Sequence, residues 1–147
     1  MRYALIVVFA LALTGCATAP NRYGTHTSID VTNSSTMAKD AAMQLAHLFP
    51  PAINRFNIDQ DISKDPFGKT LLNELRSRGY AVSNITATTN GHTVSVPYAG
   101  APLEYLITGQ GTKMVYLTIY VGSQLLSRSY VIDNHMTYAG GAWAHKE

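Results

Sequence analysis

The sequence predicts one small α+β domain, a mixed β-sheet carrying two helices on one face, behind a signal peptide and a flexible tether. Three observations predict it. The first half of the chain alternates runs of helical period with short strand-like runs. From residue 103 onward the apolar residues switch to a period of two. The length of 147 residues, 46% of them hydrophobic, suffices for one ordinary core and not for two.

The elements follow in chain order. Met1-Arg2 is a short positive start, and residues 3–13 are an unbroken apolar run. At about 1.5 Å per residue that run covers half of a ~30 Å hydrocarbon layer, so it reads as the core of a secretory signal peptide over residues 1–15, not as a membrane span. Leu13-Thr14-Gly15-Cys16 has the form of a bacterial lipobox. Its small residues admit the signal peptidase, and the Cys16 thiol is the nucleophile that takes diacylglycerol. Acyl chains such as palmitate, at about 0.8 kcal/mol per buried methylene, then hold the protein to a bilayer. Ala17-Thr18 lacks the Asp that retains lipoproteins in the inner membrane. The expected address is therefore the periplasmic face of the outer membrane.

Residues 16–36 are rich in Thr, Ser, Asn, Gly and Pro, without an apolar period, and are expected to form a flexible linker. The domain is expected over 37–147. Met37, Ala41, Leu45 and Leu48 share a helical face, with Ser35 or Thr36 as the cap and Pro50-Pro51 as the stop. Residues 53–58 alternate as a strand. Asp65-Pro66 opens the second helix, with Phe67, Leu71, Leu72 and Leu75 as its buried stripe and Gly79 as its exit. Residues 80–85 form the next strand, and strand–helix–strand in so short a span implies parallel pairing. Residues 86–102, holding Asn90-Gly91, Pro97 and Pro102, read as a loop with a short extended piece at 92–96. Leu103, Tyr105 and Ile107 then alternate with Glu104, Leu106 and Thr108, and Val115, Leu117, Ile119 and Val121 alternate with Met114, Tyr116, Thr118 and Tyr120. Gly122-Ser123 marks a two-residue hairpin. A strand over 124–132, a turn at Asp133-Asn134, and a last strand over 136–144 broken at Gly140-Gly141 complete the sheet.

Composition narrows the function. Eleven Lys and Arg against nine Asp and Glu give +2, too weak a field to argue for nucleic acid. A single cysteine excludes an internal disulfide framework and a Cys-based zinc cluster. The five histidines show no metal-ligand spacing. Asp59-Gln60-Asp61 imitates the start of a calcium loop, but Lys64 stands where Gly is needed and Thr70 where the bidentate Glu is needed. A loop with Asp65 as a helix cap explains these acids without metal. No GxSxG, SxxK or phosphate-binding glycine loop occurs, and nothing assembles an acid, a base and a nucleophile. The chain is read as a non-enzyme with no catalytic residues, no metal and no cofactor.

The nine tyrosines carry more information. Tyr116 and Tyr120 share the strand face opposite Val115, Leu117, Ile119 and Val121. Such a row is either a second buried layer or a docking surface. With helices on one side only, the other face is solvated or covered by a partner. Tyr116 and Tyr120 are therefore candidate docking residues. Trp143 reads as a plug near the end of the core.

The chain resembles the conjugal transfer protein TrbH family. The resemblance rests on the Leu13–Cys16 box, on Leu48-Phe49-Pro50-Pro51-Ala52-Ile53-Asn54-Arg55-Phe56, on Asp65-Pro66-Phe67-Gly68, on Leu75-Arg76-Ser77-Arg78-Gly79-Tyr80-Ala81-Val82, and on the closing Gly141-Ala142-Trp143-Ala144-His145-Lys146-Glu147. It covers nearly the whole length. It implies a small lipoprotein that helps assemble a type IV secretion apparatus for mating-pair formation and plasmid transfer, with other channel proteins as partners and without direct nucleic-acid binding. It carries over Cys16 as the defined site. The rival reading is a periplasmic module that binds peptidoglycan or another envelope ligand. A cryptic hydrolase is the third, and the missing constellations speak against it.

Overall fold

The computed structural model describes residues 22–84, 88–89, 92–93, 100–110 and 113–147. The leader and the lipobox residues Leu13, Thr14, Gly15 and Cys16 lie outside these, as does residues 94–96 of the extended piece expected at 92–96. In chain order the elements are β1 (Gly24–Thr25), α1 (Val31–Leu48), β2 (Arg55–Ile58), α2 (Pro66–Ser77), β3 (Ala81–Asn84), β4 (Thr88–Thr89), β5 (His92–Thr93), β6 (Ala101–Gln110), β7 (Met114–Val121), β8 (Gln124–Asp133), β9 (Met136–Ala139) and β10 (Ala144–Lys146).

The main sheet runs β10-β8-β7-β6-β2-β3, with β1 beside β6 and β9 beside β8. It is mixed, as its connections require. β2 lies parallel to β3 and to the start of β6, joined to β3 through α2, whereas β6, β7 and β8 are antiparallel neighbours. β1 is parallel to the second half of β6, at Leu106 and Ile107. β4 and β5 form a separate small hairpin.

The helices and one face of the sheet enclose a single core. Phe56 and Ile58 of β2, Leu103, Tyr105 and Ile107 of β6, Leu117 and Ile119 of β7, and Leu126 and Tyr130 of β8 meet Met37, Ala41 and Leu45 of α1 and Phe67, Leu71 and Leu75 of α2. Period two in the strands and three-to-four in the helices puts these residues on facing surfaces. Trp143 packs partly buried at the margin.

α2 starts where the sequence places it: the Asp65 carboxylate accepts from the Phe67 amide at 3.0 Å, with Pro66 at the first helical position. α1 does not. The expected cap was Ser35 or Thr36, but the helix begins at Val31, and Asp30 caps it by accepting from the Asn33 amide at 2.8 Å. Asn33 and Ser34 are buried, so tertiary contact stabilises a first turn whose Thr, Asn and Ser residues have weak helix propensity. This corrects the tether boundary of residue 36: residues 22–36 fold against the domain. The first strand likewise begins at Arg55, not at residue 53. Residues 53 and 54 belong to the turn that follows Pro50 and Pro51, where the Asn54 side-chain Nδ2 donates to the Pro50 carbonyl at 2.8 Å.

Two of the motifs that carry the family resemblance, Leu48–Phe56 and Leu75–Val82, converge on one end of this core. Phe49 meets Phe56 edge-on at 6.2 Å, and Phe56 stacks on Tyr80 at 5.1 Å. The Tyr80 hydroxyl donates to the Phe49 carbonyl. These motif residues thus form one packing unit.

Candidate docking face of the sheet

The strands that fill the core with one set of side chains present the other set outward. The inward tyrosines are tied to the helices. Tyr105 donates its hydroxyl to the Asp65 carboxylate at 2.7 Å, and Tyr130 donates to the Asp40 carboxylate at 2.6 Å. Burial, with the adjacent carboxylate adding to it, pushes both phenols far above the ordinary tyrosine range. Asp65 also accepts from the Thr25 hydroxyl at 2.9 Å. Gly68 sits under this junction: a Cβ there would stand 2.2 Å from the Tyr105 oxygen, so no larger residue fits. Asp40 further pairs with Arg128 at 2.8 Å, and the Arg128 guanidinium lies over the rings of Tyr130 and Trp143. Its Nε donates to the Gly141 carbonyl at 2.9 Å, fixing the final bend of the chain.

Tyr116 and Tyr120 both lie on the outward face, as their alternation predicts. The structure separates their roles. Tyr120 is packed edge-on by Tyr23 at 5.4 Å. Tyr23 hydrogen-bonds Glu104, the residue opposite Tyr120 in β6, and that bond holds its phenol above the ordinary value. The strap of residues 22–29 thus covers one end of the face. It is closely seated: the His26 amide donates to the Ile107 carbonyl at 2.8 Å. A Cβ at Gly109 would stand 2.4 Å from the Thr27 hydroxyl.

The other end of the face is uncovered. Met114, Val131 and Tyr138 line up across β7, β8 and β9, flanked by Tyr116 and Met136. Met114, Tyr116, Met136 and Tyr138 are 38, 36, 59 and 50% exposed. Each tyrosine hydroxyl reaches the sulfur of the methionine two residues before it, Tyr116 to Met114 and Tyr138 to Met136. Methionine and tyrosine together make an adaptable, apolar surface with polar tips, a composition enriched at interfaces. Strand alternation places Tyr116 on this face, and the β8–β9 register adds Met136 and Tyr138 to it. That register follows from the two-residue turn at Asn134 and His135, both at positive φ, which sets Tyr138 opposite Val131.

The acidic cluster serves the chain itself. The Asp61 carboxylate accepts from the Ser63 amide at 2.8 Å, and its bonds to Ser63 hold it below the ordinary carboxylate range. Among the described residues no group of three His, Cys, Asp or Glu is placed to hold a metal. No helix among them is long and apolar enough to cross a membrane. An open cleft of about 420 Å³ lies between the strap and α2, lined by Thr25, Ser28, Ser34, Asp61 and Lys64 among others. Thr25 and Asp65 there are already bonded to each other.

A protein-family model described as conjugal transfer protein TrbH matches residues 18–147. No curated protein and no solved structure matches the chain.

Proposed function

The chain belongs to the TrbH family of conjugal transfer proteins, and from that premise we propose that it is a lipid-anchored, non-enzymatic assembly component of the mating-pair formation apparatus. Its work lies in conjugation and type IV secretion. In this reading acyl chains on Cys16 hold it to the periplasmic face of the outer membrane. The domain packs beside other channel components and brings no catalysis of its own. The family match over residues 18–147 carries the reading. The uncovered methionine and tyrosine surface supports it, because a monomer gains nothing from leaving large apolar side chains in water. Anchoring also favours weak contacts by confining the partners to one layer.

Replacing Cys16 by Ser tests the anchor. Palmitate labelling should vanish, the protein should leave the outer-membrane fraction, and plasmid transfer should fall. Unchanged labelling and unchanged fractionation would overturn the anchored reading.

A further inference from the structure

We propose that the outer edge of β9 is a strand-addition site, at which an extended segment of another conjugation component pairs with Thr137 and Ala139. The proposal deepens the assembly role and rests on it for the identity of the partner. Register locates the vacant backbone groups. In the β8–β9 hairpin the two-residue turn makes Asp133–Met136 and Val131–Tyr138 the hydrogen-bonded pairs. The next is Ser129–Gly140, where the Gly140 amide donates to the Ser129 carbonyl at 2.8 Å. Thr137 and Ala139 alternate with these, so their N–H and C=O groups point away from β8. Among the described residues no strand pairs with that side.

The two end strands of the main sheet's path, β3 and β10, are defended. At β3 the Arg76 guanidinium takes the Val82 carbonyl at 3.0 Å. β10 carries His145 and Lys146, charged or chargeable residues of the kind that discourage pairing. β9 has neither charge nor proline. Its outward side chains, Met136 and Tyr138, continue the exposed row of Met114 and Val131. An added strand would therefore gain ladder hydrogen bonds at its backbone and apolar contact at alternate side chains, the two components of strand addition.

The ends of the undescribed stretches argue for a separate chain. The stretches between Asn84 and Gly100 join β3 to β6, and β3 lies five strand spacings, about 24 Å, from β9. In the lipidated form only residues 16–21 precede Arg22, a reach of at most about 22 Å, whereas Tyr138 lies three strand spacings across and about six residues further along β6, roughly 25 Å away. A second copy offers a poor match. Its own β9 has four residues before Gly140 and Gly141 break the regular edge, and stable dimers bury roughly 20 residues a side. A different polypeptide can add a strand and also lie across Met114 and Tyr116.

The test is photocrosslinking in donor cells that carry the transfer genes, using the full-length protein with p-benzoylphenylalanine at position 138 or, as control, at Ala81 on β3. Position 138 should crosslink to a product of the transfer genes, and position 81 should not. Ala139→Pro removes one outward N–H without touching the β8 ladder. It should abolish that crosslink and lower transfer at least tenfold, with protein level unchanged. Tyr138→Lys, tested by transfer alone, guards the edge with a charge and should also lower it. Equal crosslinking at both positions, a product containing only this chain, or full transfer by both variants would overturn the proposal. Anchor failure reads out separately: Cys16→Ser losing its lipid while keeping the crosslink would leave this site standing.

Discussion

The two faces of the sheet use the same residue type for opposite ends. On the inner face Tyr105 and Tyr130 are fully buried or nearly so, and their hydroxyls reach carboxylates on or beside the helices. On the outer face the Tyr116 and Tyr138 hydroxyls reach methionine sulfurs two residues away on the same strand. A tyrosine bonded across elements holds the fold together. Tyr138, bonded within its own strand and half exposed, ties no second element to the sheet. The inner hydroxyls thus join separate elements, whereas the outer ones make local contacts along one strand.

The contrast can be tested from its strongest member downward. Asp40→Ala strips the partner from both Arg128 and Tyr130 and should cost about 3 kcal/mol in denaturant unfolding, the scale of breaking a largely buried pair. An unchanged midpoint would show that water replaces Asp40 freely. Gly68→Ala forces a methyl into the Tyr105–Asp65 junction and should cost about 2 kcal/mol, with the Tyr105 environment changing in near-ultraviolet circular dichroism.

The pH dependence follows from the raised phenols of Tyr105 and Tyr130. Their folded pKa lies above the unfolded one, so unfolded chains ionise first. Stability from this source is fully present below about pH 10 and is lost as pH rises beyond it, by about 1.4 kcal/mol per pH unit for each phenol. Unfolding curves collected from pH 8 to 11 should show that break, and Tyr130→Phe should halve the slope. The smallest effect belongs to the outer face: Tyr138→Lys should change stability by about 0.5 kcal/mol or less, while the proposed edge site expects it to lower transfer. A large loss of stability there would mean that the two faces do not differ in kind.

Much of the fold was legible where the determinants are local. Asp65-Pro66 announces α2 because the cap and the first helical residue are adjacent, and the alternation in β7 places Tyr116 and Tyr120 correctly on one face. The interruption of the last strand at Gly140-Gly141 appears as the break between β9 and β10. The start of α1 was not legible, because Asn33 and Ser34 are helical by virtue of what buries them. Nor was β1: two residues are too few to show a period, and the strap is held by Thr25, Thr27 and Tyr23 meeting residues far along the chain. The site was half visible for the same reason. Tyr138 becomes a neighbour of Met114 only through two hairpin registers, and sequence spacing alone does not display that.

The strap has a mechanical corollary. With residues 22–29 bound to the sheet, the six peptide links from Cys16 to Arg22 are the whole mooring line of an acylated protein. They pay out at most about 22 Å, less than the width of the domain itself. With Cys16 acylated as proposed, so short a line would keep the domain in a thin layer at the bilayer, and a partner would have to come within that layer to meet it.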